Sequence, residues 1–234
     1  MSRIAVVGGH GRVALQLHPQ LVSAGHTPVA LVRTEDYRDE LEGLGAEVRL
    51  LDIEAGDVEQ FVAAFEGCDA VVFSAGGGAD GNIERKRTVD LGGTLHSLEA
   101  AQRLGIRRYV QVSAWGVDEP LPDDVSPVWR AYVDAKRDSD AAVRDSGLDW
   151  TIIRPGRLVD EPADGRVKLG TDADVPHDDP GRSADPDNTN GDVTRGDVAA
   201  VVAAVLDAPH TIGVQAVLVG GDVPLADAVA ALAR

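Results

Sequence analysis

The chain has 234 residues, a single cysteine and a formal net charge of −17 at pH 7, with lysine only at three positions. This length is that of one domain with room for a sizeable core, so we predict a single domain over residues 1–234. The surplus of carboxylates disfavours binding to nucleic acid or to an anionic membrane, and no apolar run approaches the roughly 20 residues of a membrane span.

The acidic composition has two interpretations. Dense carboxylates keep a protein hydrated in concentrated salt, which screens their mutual repulsion, so the composition is typical of a halophilic protein. The alternative is a GC-rich genome that replaces lysine by arginine. Because the lone Cys68 has no partner for an internal disulfide and the first strand begins almost at once, with no room for a signal peptide, we expect a cytoplasmic protein.

The first predicted element is a buried strand at residues 4–7, followed by a glycine-rich turn and a helix over 13–23. The turn reads Gly8-Gly9-His10-Gly11-Arg12-Val13-Ala14. Gly8 permits a tight turn, Gly11 lets a phosphate approach the backbone, and Ala14 lets the first helical turn pack on the sheet. Backbone amides and a helix N-terminus then converge, which suits the diphosphate of a dinucleotide. The alternative is an ordinary strand-to-helix turn.

The second predicted strand, residues 29–32, ends at Arg33 and Thr34, where the adenosine ribose of a dinucleotide would lie. An acidic residue at this place binds the 2′-hydroxyl of NAD, whereas the planar fork of arginine pairs with the 2′-phosphate of NADP. Arg33 therefore favours NADP, with NAD the alternative, and Arg12 is expected to reach the same phosphate from the other side. The alternative is that both arginines only solvate the ends of loops and bind no phosphate.

Apolar strands alternate with helical patterns along the rest of the chain. Further strands are predicted at residues 48–51, 70–73, 109–112, 151–153 and 216–219. Helices are predicted at residues 35–44, 58–65, 83–104, 128–146 and 197–206, and from 225 onward. Five glycines follow helices at the place where a left-handed residue ends them: Gly25, Gly45, Gly67, Gly105 and Gly147. Strands this apolar are buried on both faces, which predicts a doubly wound α/β fold with a parallel sheet.

Residues 155–192 are rich in Asp, Gly and Pro and poor in apolar residues. We predict a long loop on the substrate side, at the carboxyl ends of the strands, where ligands bind in such sheets. It is either a substrate lid or a solvated acidic loop.

A helical pair carries the predicted chemistry. Tyr132 and Lys136 are four residues apart and share one helix face. A neighbouring ammonium favours the phenolate, so the spacing predicts a lowered pKa for Tyr132 and proton exchange with a carbonyl or alcohol oxygen. Ser113 is predicted to hold that oxygen by a hydrogen bond. The alternative is a surface pair without a role.

Other kinds of site have little support. The six histidines show no metal-ligand spacing, and His177 with its neighbouring aspartates is interpreted as a solvated loop. No Gly-x-Ser-x-Gly elbow appears, which disfavours a hydrolase. Trp115 or Trp129 can stack on a planar substrate, although core packing is the commoner use of tryptophan.

These motifs together resemble the atypical short-chain dehydrogenase/reductase group, NAD(P)-binding proteins of Rossmann fold related to NmrA-like and flavin- or biliverdin-reductase-like members. The resemblance covers nearly the whole chain. It rests on the segments Val6-Val7-Gly8-Gly9-His10-Gly11-Arg12, Ser74-Ala75-Gly76-Gly77, Tyr132-x-x-x-Lys136 and Thr151-Ile152-Ile153-Arg154-Pro155-Gly156. One departure is the segment Thr88-Val89-Asp90-Leu91-Gly92, where many catalytic members have an asparagine.

The resemblance implies a set of cofactor contacts from the glycine turn to the end of the sixth strand. Its members are Gly8, Gly9, His10, Gly11, Arg12, Val13, Arg33, Thr34, Asp52, Ile53, Ser74, Ala75, Gly76, Gly77, Pro155, Gly156 and Arg157. Among them, Asp52 and Ile53 correspond to adenine contacts, the segment at 75–77 to the ribose, and the segment at 155–157 to the nicotinamide. Ser113, Tyr132 and Lys136 correspond to the proton-transfer group.

The leading hypothesis is an NADP-dependent oxidoreductase that transfers a hydride to a carbonyl, quinone or flavin-like acceptor. One alternative is an NADP(H)-sensing regulator of the same fold without turnover. Another is a nucleotide-sugar epimerase or dehydratase, for which the region after Pro155 is short. In each case a small molecule is the expected partner.

Overall fold

A computed structural model describes residues 1–78, 81–175 and 191–232 of the chain. The strands are β1 (Arg3–Val7), β2 (Thr27–Val32), β3 (Glu47–Leu50), β4 (Ala70–Phe73), β5 (Arg108–Val112), β6 (Asp149–Pro155), β7 (Arg157–Val159), β8 (Arg166–Gly170), β9 (Asp192–Thr194), β10 (Val214–Gly220) and β11 (Val223–Pro224). The α-helices are α1 (Arg12–Ser23), α2 (Arg38–Gly43), α3 (Val58–Phe65), α4 (Ile83–Arg85), α5 (Gly93–Leu104), α6 (Pro127–Asp145), α7 (Arg195–Leu206) and α8 (Leu225–Ala231).

The main sheet has the strand order β11-β8-β10-β6-β5-β4-β1-β2-β3 in the described part of the chain. From β1 the chain proceeds outward through β2 and β3, then crosses back to β4 and proceeds the other way through β5 and β6. In register, Val7 at the end of β1 lies beside Leu31 on one side and Phe73 on the other. The strand order reverses between β1 and β4, and a crevice forms there at the carboxyl ends of the strands.

Both faces of the sheet are buried, which explains the continuous apolar strands. In β1, Ile4 and Val6 belong to the core cluster that includes residues of α1 and α7. Ala5 and Val7 point the opposite way, into the cluster with residues of α3 and α5. Successive strand residues face opposite sides of a sheet, so a strand covered by helices on both sides must be apolar at every position.

The structure confirms the doubly wound α/β fold. The six predicted strands from β1 to β6 are present, and the five glycines predicted to end helices all have a positive φ. The predicted helix at residues 83–104 is instead three consecutive pieces: α4, a π-helical segment at Lys86–Gly92, and α5. No helix among the described residues is long and apolar enough to cross a membrane.

The prediction of a long loop over residues 155–192 is wrong for its described part. This part contains β7 and β8, and β9 begins at its end; β8 runs antiparallel to β10, with Leu218 paired to Leu169. Val167 is fully buried, and β8 covers the backbone edge of β10 that would otherwise be unpaired. The composition of this segment did not indicate a strand, because β8 contains only two large apolar residues, Val167 and Leu169, and the residues around it are polar. Residues 176–190 of the predicted lid, with His177, lie outside the described residues.

Candidate functional site

A cleft of about 280 Å³ opens at the carboxyl ends of β1, β2, β3 and β4. Nine of the predicted cofactor residues line it: Gly8, His10, Gly11, Arg33, Asp52, Ile53, Ser74, Ala75 and Gly76. These residues come from four separate loops, and parallel strands bring them together because their carboxyl ends meet at one edge of the sheet. The cleft is also lined by residues that the sequence did not predict: Leu31, Val32, Tyr37, Leu51, Glu54, Arg85 and Val89.

The glycine turn is built from the backbone. Gly8 has φ +82°, and the Gly11 amide donates to the Gly8 carbonyl at 2.8 Å. A Cβ added at Gly8 would lie 2.9 Å from the Ala75 Cα, so the loop after β4 also requires glycine here. No side chain caps the start of α1 at Gly11 in the described structure. The amides of its first turn therefore remain available to an anion.

The buried His18 of α1 supports this turn from below. Its Nε2 lies 2.7 Å from the Gly9 carbonyl oxygen. Burial lowers the pKa of His18, more than the hydrogen bond to Gly9 raises it, so the neutral imidazole donates this bond. The Gly9 amide donates to the Leu31 carbonyl at 3.0 Å, which ties the turn to β2. The sequence analysis did not identify His18; its signal is a histidine on the apolar face of the first helix.

Arg33 is exposed at the end of β2 and lines the cleft. In the part of the chain that the structure describes, its guanidinium has no carboxylate partner. Nearby, the rings of His10 and Tyr37 stack with centroids 3.6 Å apart, and His10 Nε2 lies 2.8 Å from a Glu40 carboxylate oxygen. A free cation and a flat aromatic wall therefore line the same cleft.

Eight of the predicted cofactor residues do not line the cleft: Gly9, Arg12, Val13, Thr34, Gly77, Pro155, Gly156 and Arg157. Arg12 differs most from its prediction, because its guanidinium pairs with Asp160 at 2.8 Å, and the same carboxylate pairs with Arg195 at 2.7 Å. Arg157 pairs with Asp192 at 2.6 Å. Four of the others have a structural role in the loops. Gly9 and Val13 are buried in the glycine turn and at the start of α1. The Thr34 hydroxyl accepts a hydrogen bond from the Asp36 amide, and the Gly77 amide donates one to the Asp90 carboxylate.

Lys136 is buried beneath the loop that follows β4. Its Nζ lies 3.1 Å from an Asp90 carboxylate oxygen and 3.4 Å from the carbonyl oxygens of Ala75 and Val112. Burial lowers the pKa of Lys136, but Asp90, Tyr132 and Asp140 together raise it by a larger amount, so the pKa is above its usual value. Asp90 also accepts the Gly77 amide at 2.7 Å. This aspartate therefore joins the cleft loop to α6.

The predicted lowering of the Tyr132 pKa is wrong. Burial raises the pKa of this phenol, Lys136 lowers it, and the carboxylates of Asp90 and Asp140 raise it again, with a net increase. The sequence showed only the lysine at the helical spacing, whereas Asp90 comes from another element and neutralises that lysine. Tyr132 is therefore a protonated phenol at neutral pH, able to donate rather than accept a proton.

Ser113 belongs to a buried ion-pair network. Its hydroxyl donates to Asp140 at 2.8 Å, and Arg154 Nε donates to the same oxygen at 2.9 Å. Arg154 is 1% exposed and also pairs with Asp118 at 2.7 Å. The Ser113 hydroxyl therefore already donates its hydrogen bond to a carboxylate. The signal for this network was Arg154, a charged residue that directly follows the apolar residues Ile152 and Ile153 in β6.

The described residues contain no group of three His, Cys, Asp or Glu side chains placed to hold a metal ion.

Comparison with known proteins agrees with this geometry. A family model described as NAD(P)H-binding matches residues 8–209. An uncharacterized sugar epimerase of Bacillus subtilis is 34% identical over 97% of this chain and 98% of that protein. A solved Bacillus halodurans structure, whose name refers to an NAD-dependent epimerase/dehydratase, has a TM-score of 0.84 and 35% identity, over 98% of this chain and 99% of its own.

A more distant structure shares the fold alone. It is a short-chain dehydrogenase/reductase of Veillonella parvula in complex with NADP, with a TM-score of 0.69 and 16% identity over 95% of this chain and 96% of its own.

Proposed function

Because the chain belongs to the NAD(P)H-binding family, we propose that it is an NADP-dependent reductase, in which the bound dinucleotide supplies a hydride to a carbonyl, quinone or flavin-like acceptor. The observation that carries the proposal is the cleft, where the glycine turn faces the same space as Arg33, which has no carboxylate partner among the described residues. The family accounts for a dinucleotide, and Arg33 supports the choice of NADP.

The residues present fit this cofactor. The open first turn of α1 and the backbone from Gly8 to Gly11 suit the diphosphate. Asp52 and Ile53 line the cleft where the resemblance assigns adenine contacts, and the Arg33 fork suits a 2′-phosphate. In this proposal Ala75 and Gly76 line the ribose side of the cleft.

Tyr132 is the proposed proton donor. Its raised pKa keeps the hydroxyl protonated through neutral pH, so the proton is present for donation in the reductive direction and the residue is a poor base for oxidation. A raised pKa also makes the phenol a weaker acid, so the donation depends on its position beside the acceptor oxygen. Lys136 holds the loop beside it through the Ala75 carbonyl and Asp90. The buried Ser113 has no assigned part in this proposal.

The test is NADPH oxidation by the purified protein with a panel of quinones, flavins and aromatic carbonyl compounds. We expect turnover with at least one acceptor. For an acceptor that needs a proton, Tyr132→Phe should lower kcat by about 100-fold or more without changing the NADPH Kd. Tyr109→Phe, in the buried core of β5, is the matched control and should retain activity. Tight NADPH binding without turnover of any acceptor would contradict the proposal and favour the sensing regulator.

A second candidate comes from the names of two similar proteins, which refer to epimerases. An epimerase regenerates its oxidised cofactor within each cycle, so it shows no net NADPH consumption. Interconversion of a nucleotide sugar with NAD(P)⁺ present, and no NADPH oxidation with the acceptor panel, would replace the reductase proposal with this one.

A further inference from the structure

A second cavity, of about 320 Å³, lies next to the loop that lines the cleft. Ser74, Ala75 and Gly76 line the cleft, and Gly78, two residues further along, lines this second cavity. Its wall also includes Tyr132, the proposed proton donor. The second cavity is thus close to the cleft and contacts the proposed proton donor.

One wall of the second cavity is aromatic. Trp129 and Tyr132 are one turn apart on α6, with ring centroids 5.1 Å apart and ring planes inclined by 33°. Val128 lines the cavity beside them, and Trp129 and Tyr132 are each only half-buried. Such a wall suits a planar ring, because aromatic side chains offer large apolar area with a preferred stacking geometry.

The second cavity also contains a buried cation. Lys86 is 4% exposed, and its ammonium donates to the Gly78 carbonyl. Within the described residues it has no carboxylate partner, in contrast to Lys136 with Asp90. A buried charge without a counterion is costly, and an anionic oxygen from a ligand would pair with it. In a chain of net charge −17, a cation in this position favours an anion that the rest of the surface repels.

We propose, on the basis of the proposed function, that the acceptor is a planar aromatic compound carrying a carboxylate or similar anionic oxygen. Its ring lies against Trp129 and Tyr132, and its anionic oxygen pairs with Lys86. The ammonium selects the charge of the ligand, and the aromatic wall selects its shape.

The test is calorimetric titration of the full chain, saturated with NADP⁺, with naphthoate and with its neutral counterpart naphthamide. We expect naphthoate to bind at least about tenfold more tightly than naphthamide. Lys86→Met should weaken naphthoate binding by about 10- to 100-fold and bring the two ligands to equal affinity. Lys86→Arg should keep the preference. Lys168→Met, at an exposed lysine of β8, is the matched control and should leave both affinities unchanged.

Trp129→Leu separates shape from charge, since it should weaken both ligands to the same degree. Equal affinities of naphthoate and naphthamide in the unaltered protein would overturn the inference. So would a preference that survives Lys86→Met in protein whose thermal unfolding and NADPH affinity match those of the unaltered chain. If Lys86→Met fails to fold, loss of the preference in Lys86→Arg is the overturning result.

The outcome is separable from that of the proposed function, because ligand binding is measured without turnover. A naphthoate preference together with no NADPH oxidation would contradict the reductase and leave the anion site standing. NADPH oxidation with neutral and anionic acceptors alike, unaffected by Lys86→Met, would contradict the anion site alone.

Discussion

At the scale of single residues, the cleft depends on one backbone conformation. Gly8 has φ +82° and packs against the backbone of Ala75, so this position excludes a side chain for two independent reasons. Gly105 has φ +70° at the end of α5 and has open space where a Cβ would be. Comparing alanine substitutions at these two positions therefore separates the effect of backbone strain from that of steric contact.

We expect Gly105→Ala to lower the free energy of unfolding by about 1 kcal/mol, which is the strain of a left-handed non-glycine residue. Gly8→Ala should cost more and should raise the NADPH Kd at least about tenfold, because the loop at Ala75 must move. Chemical denaturation and calorimetric NADPH titration of both variants measure this. Equal effects of the two substitutions on NADPH affinity would contradict the assignment of the turn.

Arg33 is the residue on which the choice of NADP depends. Removing a charge-assisted hydrogen bond should cost about 10- to 100-fold in affinity, so Arg33→Ala should weaken NADPH by this factor and leave NADH nearly unchanged. The control is Arg107→Ala, at an exposed arginine directly before β5, at the amino ends of the strands and away from the cleft. The measurement is the ratio of the Kd values for NADPH and NADH. A ratio unaltered by Arg33→Ala would show that this arginine does not select the cofactor.

At the scale of elements, the π-helical segment Lys86–Gly92 decides the electrostatics of the site. The sequence predicts one continuous helix there, whereas the segment places Lys86 at the second cavity and Asp90 beside Lys136 and Gly77. Single π-helical turns are frequent at functional sites. The loop after β4 and helix α6 thus meet at one buried carboxylate.

We expect Asp90→Asn to lower the pKa of Tyr132. The substitution removes a carboxylate that raises this pKa, and it leaves the Lys136 charge without its partner. Because a general acid loses activity as pH rises through its pKa, the alkaline limb of the pH–rate profile should move to lower pH. The amide oxygen of asparagine still accepts the Gly77 amide. Asp134→Asn, an exposed carboxylate on α6, is the control, and an unmoved alkaline limb in Asp90→Asn would contradict the assignment.

At the scale of the whole molecule, the net charge of −17 predicts dependence on salt. The Debye length falls from about 10 Å at 0.1 M to about 3 Å at 1 M, so salt should screen the repulsion among surface carboxylates. We expect the helical circular dichroism signal and the Tm to fall on dilution from molar salt. If an uncharged osmolyte raises the Tm as much as salt does, the stabilisation comes from exclusion of the solute from the protein surface and not from charge screening. A Tm unaffected by salt would contradict the halophilic interpretation.

The sequence by itself determined the α/β fold and the glycine turn, and nine of the residues that it predicts as cofactor contacts line one cleft, although their contact with a cofactor stays a prediction. It did so because apolar periodicity and glycine positions act locally, and because parallel strands bring successive loops to one edge. The resemblance to the atypical short-chain dehydrogenase/reductase group is likewise confirmed by the NAD(P)H-binding family match. The assignment of one domain over residues 1–234 stays a prediction.

Only the tertiary structure decided the partners of the charged residues. Arg12 pairs with Asp160, Ser113 is held by Asp140, and Lys136 is neutralised by Asp90. Each partner comes from a distant part of the chain, so no local spacing predicts it. A pKa reports the sum of burial and all nearby charges, and that sum exists only once the elements have packed. The helical spacing therefore showed which charged residue is near Tyr132 on its own helix. The packing of the other elements decided that the pKa of Tyr132 is raised and not lowered.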